Sequence, residues 1–171
     1  MAKLVPVRDT LQVEDVAQMA EVIWREHYLP ILGEAQVRYM LSTLQSEEKM
    51  VQDIAHNKAD YFIIEAGVSE IGYVAIEWQE NVLFLSKLYL LKEARGLGHA
   101  AAILKELLQM ATERGMNGIT LTVNKYNSDA IAFYEKAGFE RTDSIISDIG
   151  GGYVMDDYVY HLEITWFKWI H

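Results

Sequence analysis

The sequence predicts an α+β, mixed α/β fold: a central, twisted, mostly antiparallel sheet with one β-α-β crossover, flanked by helices, in a single domain over residues 1–171. Three observations predict it. Apolar residues recur at three- and four-residue spacing through the first third of the chain. From Tyr61 the texture changes to short runs of β-branched and aromatic residues. One glycine-containing loop then joins a strand directly to a helix, with another strand beyond it.

Taken in order, Lys3 to Val7 reads as a first strand. Val13, Val16, Ala17, Ala20, Ile23 and Trp24 form one helical face, and the helix is expected to end before Pro30. Val37, Met40, Leu41 and Leu44 repeat the pattern, and Met50, Val51 and Ile54 suggest a third, short helix. YFIIEA, IGYVAIEW and VLFLSKLYLL read as a three-strand meander punctuated by Gly67 and by Glu80 and Asn81. A helix from about Gly98 to Arg114 follows, with Ala100, Ala101, Ile103, Leu104, Leu107, Leu108 and Ala111 inward. The strand GITLTV comes next, then a helix from about Ser128 to Ala137 stopped by Gly138. Phe139 to Ile146 and Tyr158 to Trp166 close the chain as two strands.

Composition narrows the function. Fifteen Lys plus Arg against 25 Asp plus Glu give a formal charge of −10, and no basic run is present, which argues against nucleic acid as a partner. No apolar run approaches the roughly 20 residues that cross a bilayer, so no membrane partner is expected either. The N-terminus, interrupted by Arg8, Asp9, Glu14 and Asp15, does not read as a signal peptide. The absence of Cys removes disulfides, thiolate metal sites and cysteine nucleophiles, and makes a reducing cytoplasm the expected compartment. No pair of histidines, and no His with a carboxylate, has metal-ligand spacing, so no metal is expected.

The chemistry concentrates in LYLLKEARGLGHAAAILKELL, where a strand passes through Arg95, Gly96, Leu97, Gly98, His99 and Ala100 into a helix. The first helical N–H groups lack intrahelical partners, and the helix dipole adds positive potential, so backbone donors can hold a diphosphate with Arg95 as a charged helper. Gly96 to Ala101 also satisfies the loose dinucleotide fingerprint G-x-G-x-x-G/A. That reading needs a carboxylate at the end of the next strand and several more parallel units. GITLTV instead runs into Asn124 and Lys125, and a single crossover surrounds the loop.

This loop resembles that of the GCN5-related N-acetyltransferases, the GNAT superfamily. Their acetyl-CoA pyrophosphate loop has Arg or Gln, two residues, Gly, one residue, then Gly or Ala, and Arg95, Gly98 and Ala100 stand at those places. Downstream the family often carries N-x-x-A-x-x-F/L-Y-x-x-x-G-F; here Asn127, Ala130, Phe133, Tyr134, Gly138 and Phe139 match it. In texture the chain is most similar to the bacterial small-molecule, spermidine/spermine-type branch.

The resemblance implies an enzyme that moves the acetyl group of acetyl-CoA, as co-substrate, to a primary amine, here a small cation such as a polyamine. The alternatives are a protein N-terminus or lysine as acceptor, or a catalytically silent acyl-CoA-binding module. It places the pantetheine arm against Leu88, Tyr89 and Leu90, and sets Tyr134 beside the thioester sulfur, where a phenol of pKa about 10 can protonate the departing thiolate. Asn127 either touches the cofactor or caps its helix. The strand VLFLSKLYLL lacks the Glu that many relatives use as a base, with Ser86 and Lys87 in its place; Glu77 is the nearest substitute, and bulk water is the other route. Trp24, His27 and Tyr28 are candidates to wall the acceptor pocket, against a default of core packing. Asp156 and Asp157 are candidates to attract its ammonium, against a default of a solvated turn after Gly150, Gly151 and Gly152. His99 is read as a spacer within the loop. The terminal Trp166, Phe167, Trp169 and Ile170 suggest burial against the domain or a second subunit, and a homodimer is the expectation.

Overall fold

A computed structural model describes residues 1–165. Its elements are β1 (Ala2–Pro6), α1 (Thr10–Leu32), α2 (Glu34–Ser42), α3 (Glu47–Ala55), β2 (Asp60–Ala66), β3 (Ser69–Trp78), β4 (Val82–Leu90), α4 (His99–Glu113), β5 (Gly118–Asn124), α5 (Ser128–Lys136), β6 (Glu140–Gly150) and β7 (Tyr153–Glu163), with a 3-10 turn at Lys92–Ala94. Strand order is β1-β2-β3-β4-β5-β7-β6. The β4–β5 pair is parallel, while β1–β2, β2–β3, β5–β7 and β7–β6 are antiparallel. The expected mixed fold with its single crossover is therefore present. Terminal residues 166–171, on which the expected apolar patch falls, lie outside the described residues.

The chain divides into two compact units. One comprises Met1–Glu77 and Lys87–Ile103; the other holds Trp78–Ser86 and the chain from Leu104 onward.

In the first unit, β2 pairs with β1 from Ala2↔Ala66 to Pro6↔Phe62 and with β3 from Asp60↔Ile76 to Ala66↔Ser69, with a bulge between Ile64 and Glu65. Helix α1 starts at a capping box: Asp9 Oδ1 accepts from Gln12 N–H at 2.8 Å, and Gln12 Oε1 accepts from Asp9 N–H at 3.3 Å. Its buried residues Val13, Val16, Met19, Ala20, Ile23 and Trp24 keep the helical spacing read from the sequence. The helix does not end before Pro30. It runs on to Leu32 with the proline inside, and Gly33 N–H closes it on Leu29 O at 3.0 Å. A proline this close to the C-terminus removes one donor from the last turn, so the helix loses little by carrying it.

In the second unit, β4 runs parallel to β5 from Val82↔Gly118 to Leu85↔Leu121, and the register stops there. The crossover helix α4 buries Ile103, Leu104, Leu107 and Ala111, whereas Ala101, expected inward, is exposed. Helix α5 ends where Gly138 takes φ 105°, a conformation that glycine adopts without a Cβ penalty. The β6–β7 turn is made by Gly150, Gly151 and Gly152 with φ of 89°, 62° and 84°. Because the chain reverses within those three residues, β7 begins at Tyr153 rather than near Tyr158. Asp156 and Asp157 thus lie in a strand, not in a solvated turn.

Candidate active site

Strand β4 ends at Leu90, so Lys92 and Glu93, read from the sequence as the end of the strand, instead form a 3-10 turn ahead of the glycine loop. After the 3-10 turn, Arg95 N–H donates to Lys92 O at 3.2 Å, and Arg95 Nε reaches back to Leu90 O at 3.0 Å, which ties the loop to the end of β4. Gly96 and Gly98 take φ of 74° and 84°, and a Cβ built on either would meet nothing within 4 Å. Backbone conformation, not crowding, is what calls for glycine at both places. Helix α4 opens at His99, and its first closed turn is Ala102 N–H to Gly98 O at 3.1 Å. The N–H groups of His99, Ala100 and Ala101 precede that turn and belong to the orphan donors of a helix start. Leu97 is 68% exposed at the tip. An open glycine cradle at the mouth of a fifteen-residue helix, with a guanidinium anchored beside it, fits a diphosphate.

Leu88, Tyr89 and Leu90 lie beyond the end of the parallel register, and the strand leans on Gly72 of β3. A Cβ there would come within 2.1 Å of Tyr89 O and 3.1 Å of Leu90 Cα. Gly72 is a positioning residue that the sequence reading passed over. A glycine inside a strand is itself a signal of close backbone approach, so IGYVAIEW held the clue.

Trp24 and Tyr28 are 2% and 4% exposed, stack at 4.3 Å, and meet the Tyr89 ring edge-on at 5.8 and 6.3 Å. His27, half-buried, stands edge-on to Tyr28 at 4.8 Å, and Tyr73 packs against Tyr89 at 5.4 Å while donating to Gln45 Oε1 at 3.1 Å. The aromatics therefore pack around the Tyr89 side chain, as the default of core packing expects.

Lys87, one residue ahead of those three, donates from Nζ to Tyr61 Oη at 2.7 Å and to Leu44 O at 3.1 Å. Burial pushes its ammonium down to about 8; Asp53 opposes the fall, Lys49 adds to it and Glu77 opposes it. Burial also raises the Tyr61 phenol, helped by the charges of Asp53 and Glu77. Lys49 pairs with Asp53 at 2.7 Å. Glu77, half-buried, thus acts on Lys49, Lys87 and Tyr61.

In the second unit Asn127 caps α5: its side-chain oxygen accepts from Ala130 N–H at 3.3 Å. Tyr134, 8% exposed, lies in α5 with its ring 5.2 Å from Phe133 and 5.4 Å from Phe139. The two expected ammonium-attracting carboxylates differ sharply. Asp156 is already ion-paired to Lys125 at 2.7 Å. Asp157 is 8% exposed, opposes Asn124 in register, and has an Oδ1 without a hydrogen-bond partner. Burial, reinforced by Asp156 and opposed by Lys125, pushes its carboxyl up to about 6. Among the described residues no three His, Asp or Glu side chains gather as metal ligands, and no helix is long and apolar enough to cross a membrane.

A glycine loop feeding a helix from one parallel strand pair, in a mostly antiparallel sheet, is the architecture of an acyl-CoA transferase. The profile of the acetyltransferase (GNAT) family matches residues 17–139, and this chain belongs to that family. Its acetyl donor is accordingly acetyl-CoA. The chain is 26% identical to a spermidine N(1)-acetyltransferase of Thermoplasma acidophilum over 145 residues, 81% of this chain and 90% of that one. In fold it is similar to the PaiA N-acetyltransferase of Thermoplasma acidophilum in complex with coenzyme A, with TM-score 0.80, 20% identity and coverage of 96% and 99%. It is similar also to mutant forms of the spermidine/spermine N-acetyltransferase SpeG of Vibrio cholerae, with TM-score 0.66, 18% identity and 95% of each chain covered.

Proposed function

We propose that this protein acetylates a primary amine of a small polycation of the polyamine class. The observation that carries the reading is the loop at Arg95–Ala101, whose positive-φ glycines and helix-start donors suit the coenzyme diphosphate. The acceptor class is supported by the likeness to a spermidine acetyltransferase over 81% of the chain and by a formal charge of −10, which draws cations. The cysteine-free composition suits a cytoplasmic setting.

In this reading Arg95, Gly96, Leu97, Gly98, His99 and Ala100 hold the diphosphate, and the backbone of Leu88, Tyr89 and Leu90 lines the pantetheine arm. Asn127 supports the same end by fixing the start of α5. Trp24, His27 and Tyr28 wall the acceptor pocket, Asp156 and Asp157 supply negative charge for the ammonium, and Glu77 and bulk water are candidate proton acceptors. The amine nitrogen attacks the thioester carbonyl, the C–S bond breaks, and the Tyr134 phenol protonates the departing thiolate.

Thiol release measured across a panel of polyamines, diamines, amino acids and peptides tests the acceptor. The Tyr134→Phe variant tests the acid: turnover should fall about 100-fold with coenzyme affinity, read by calorimetry, nearly unchanged. Unaltered turnover would remove Tyr134 from the mechanism.

A further inference from the structure

Helix α5 and strands β5, β6 and β7 belong to one unit, so the surroundings of Asp157 can be read there directly. It lies at the carboxyl end of β5, where the chain turns into the helix that carries Tyr134. Asn124, its partner in register, spends Oδ1 on Tyr126 N–H at 2.9 Å, which shapes that turn. On the other side, β6 offers Ile145. The charged groups that face Asp157 are Asp156 beside it and Lys125 in the turn, and these two form an ion pair at 2.7 Å. A carboxylate more than nine-tenths buried, with an oxygen no protein group uses, is costly unless a donor arrives from outside. Carboxyl ends of parallel strands are where ligands enter sheets of this kind.

We infer that Asp157 is the catalytic base of the transfer: its free oxygen accepts a proton from the acceptor ammonium and so exposes the nitrogen lone pair. The inference rests on the proposed acetyl transfer. Of the two protons that the ammonium loses on becoming an amide, one goes to Asp157 and thence to solvent. The other leaves the tetrahedral intermediate as Tyr134, having given its own proton to sulfur, recovers one. The neutral amide and the free thiol remain, and every proton is placed.

A base of this kind is ionised at neutral pH, because the carboxyl titrates at about 6. The test is the pH dependence of kcat/KM for acetylation of spermidine by wild type, Asp157→Asn, Asp157→Glu and Glu77→Gln, with coenzyme A binding followed by calorimetry and folding by thermal melts. Wild type should show an ascending limb near pH 6, and a limb that Glu77→Gln abolishes while Asp157→Asn keeps it would overturn the inference. Asp157→Asn should lose that limb and about 100-fold in kcat while binding coenzyme A within twofold of wild type. Asp157→Glu should recover part of the rate. An Asp157→Asn variant within threefold of wild type, with the same limb, overturns the inference and leaves acetyl transfer standing. A wild type that binds coenzyme A but acetylates no amine overturns the functional reading and the inference with it.

Discussion

The charge on Asp157 should be a burden on folding, and Asp157→Asn should therefore stabilise the protein at neutral pH. Its carboxyl is raised from 3.8 to about 6, roughly 2 units, which at about 1.36 kcal/mol each amounts to about 3 kcal/mol. The residue is 8% exposed, and local relaxation around a buried charge returns part of this cost, so about 1–2 kcal/mol is the expectation. The sign follows from proton uptake. Between pH 4 and 6 the folded state holds a proton that the unfolded chain has released, so stability falls as pH rises through that window and is level above it. Asparagine is neutral throughout and escapes the loss. Urea or thermal melts from pH 4.5 to 8 should show the Asn variant melting roughly 2–8 °C higher at pH 7.5, with the advantage shrinking below pH 6. A variant less stable at pH 7.5, or an advantage independent of pH, would refute the reasoning.

Gly72→Ala puts a methyl within 2.1 Å of Tyr89 O, a backbone atom that only a strand shift can move. It should cost about 1–3 kcal/mol in a denaturant melt and weaken coenzyme A binding about tenfold by calorimetry. Gly98→Val places a β-branched residue at φ 84° in an open loop, so the expected loss is about 1–2 kcal/mol of loop strain. That loss should show in coenzyme affinity, with the melting of the rest of the chain little changed.

The glycine loop and the α5 motif were legible because each depends on backbone demands that few residue types meet. Gly138 adopts the positive φ that its place at the end of a helix implied, and the sharp turn read at Gly96 and Gly98 is made with positive φ at both. The apolar faces of α1 and α4 were legible through their period. What could not be read were relations between residues far apart in sequence. Asp156 and Asp157 look alike in GGYVMDDYVY, and only the register with β5 gives one a lysine partner and leaves the other buried and bare. Lys87 in a run of leucines gave no sign of its partners, Tyr61 and Leu44, because these lie 26 and 43 residues away. Pro30 misled for a plainer reason: a breaker's effect depends on how much helix remains after it, which the local pattern does not state.

Neither compact unit is a continuous stretch of polypeptide. The chain changes unit after Glu77, Ser86 and Ile103, the second time within β4 and the third within α4. No single cleavage separates the two units, and β4 and α4 are each threaded through both. A ribosome must therefore have synthesised past residue 103 before even the first unit has all its parts, so completion of that unit is tied to emergence of the first turns of α4.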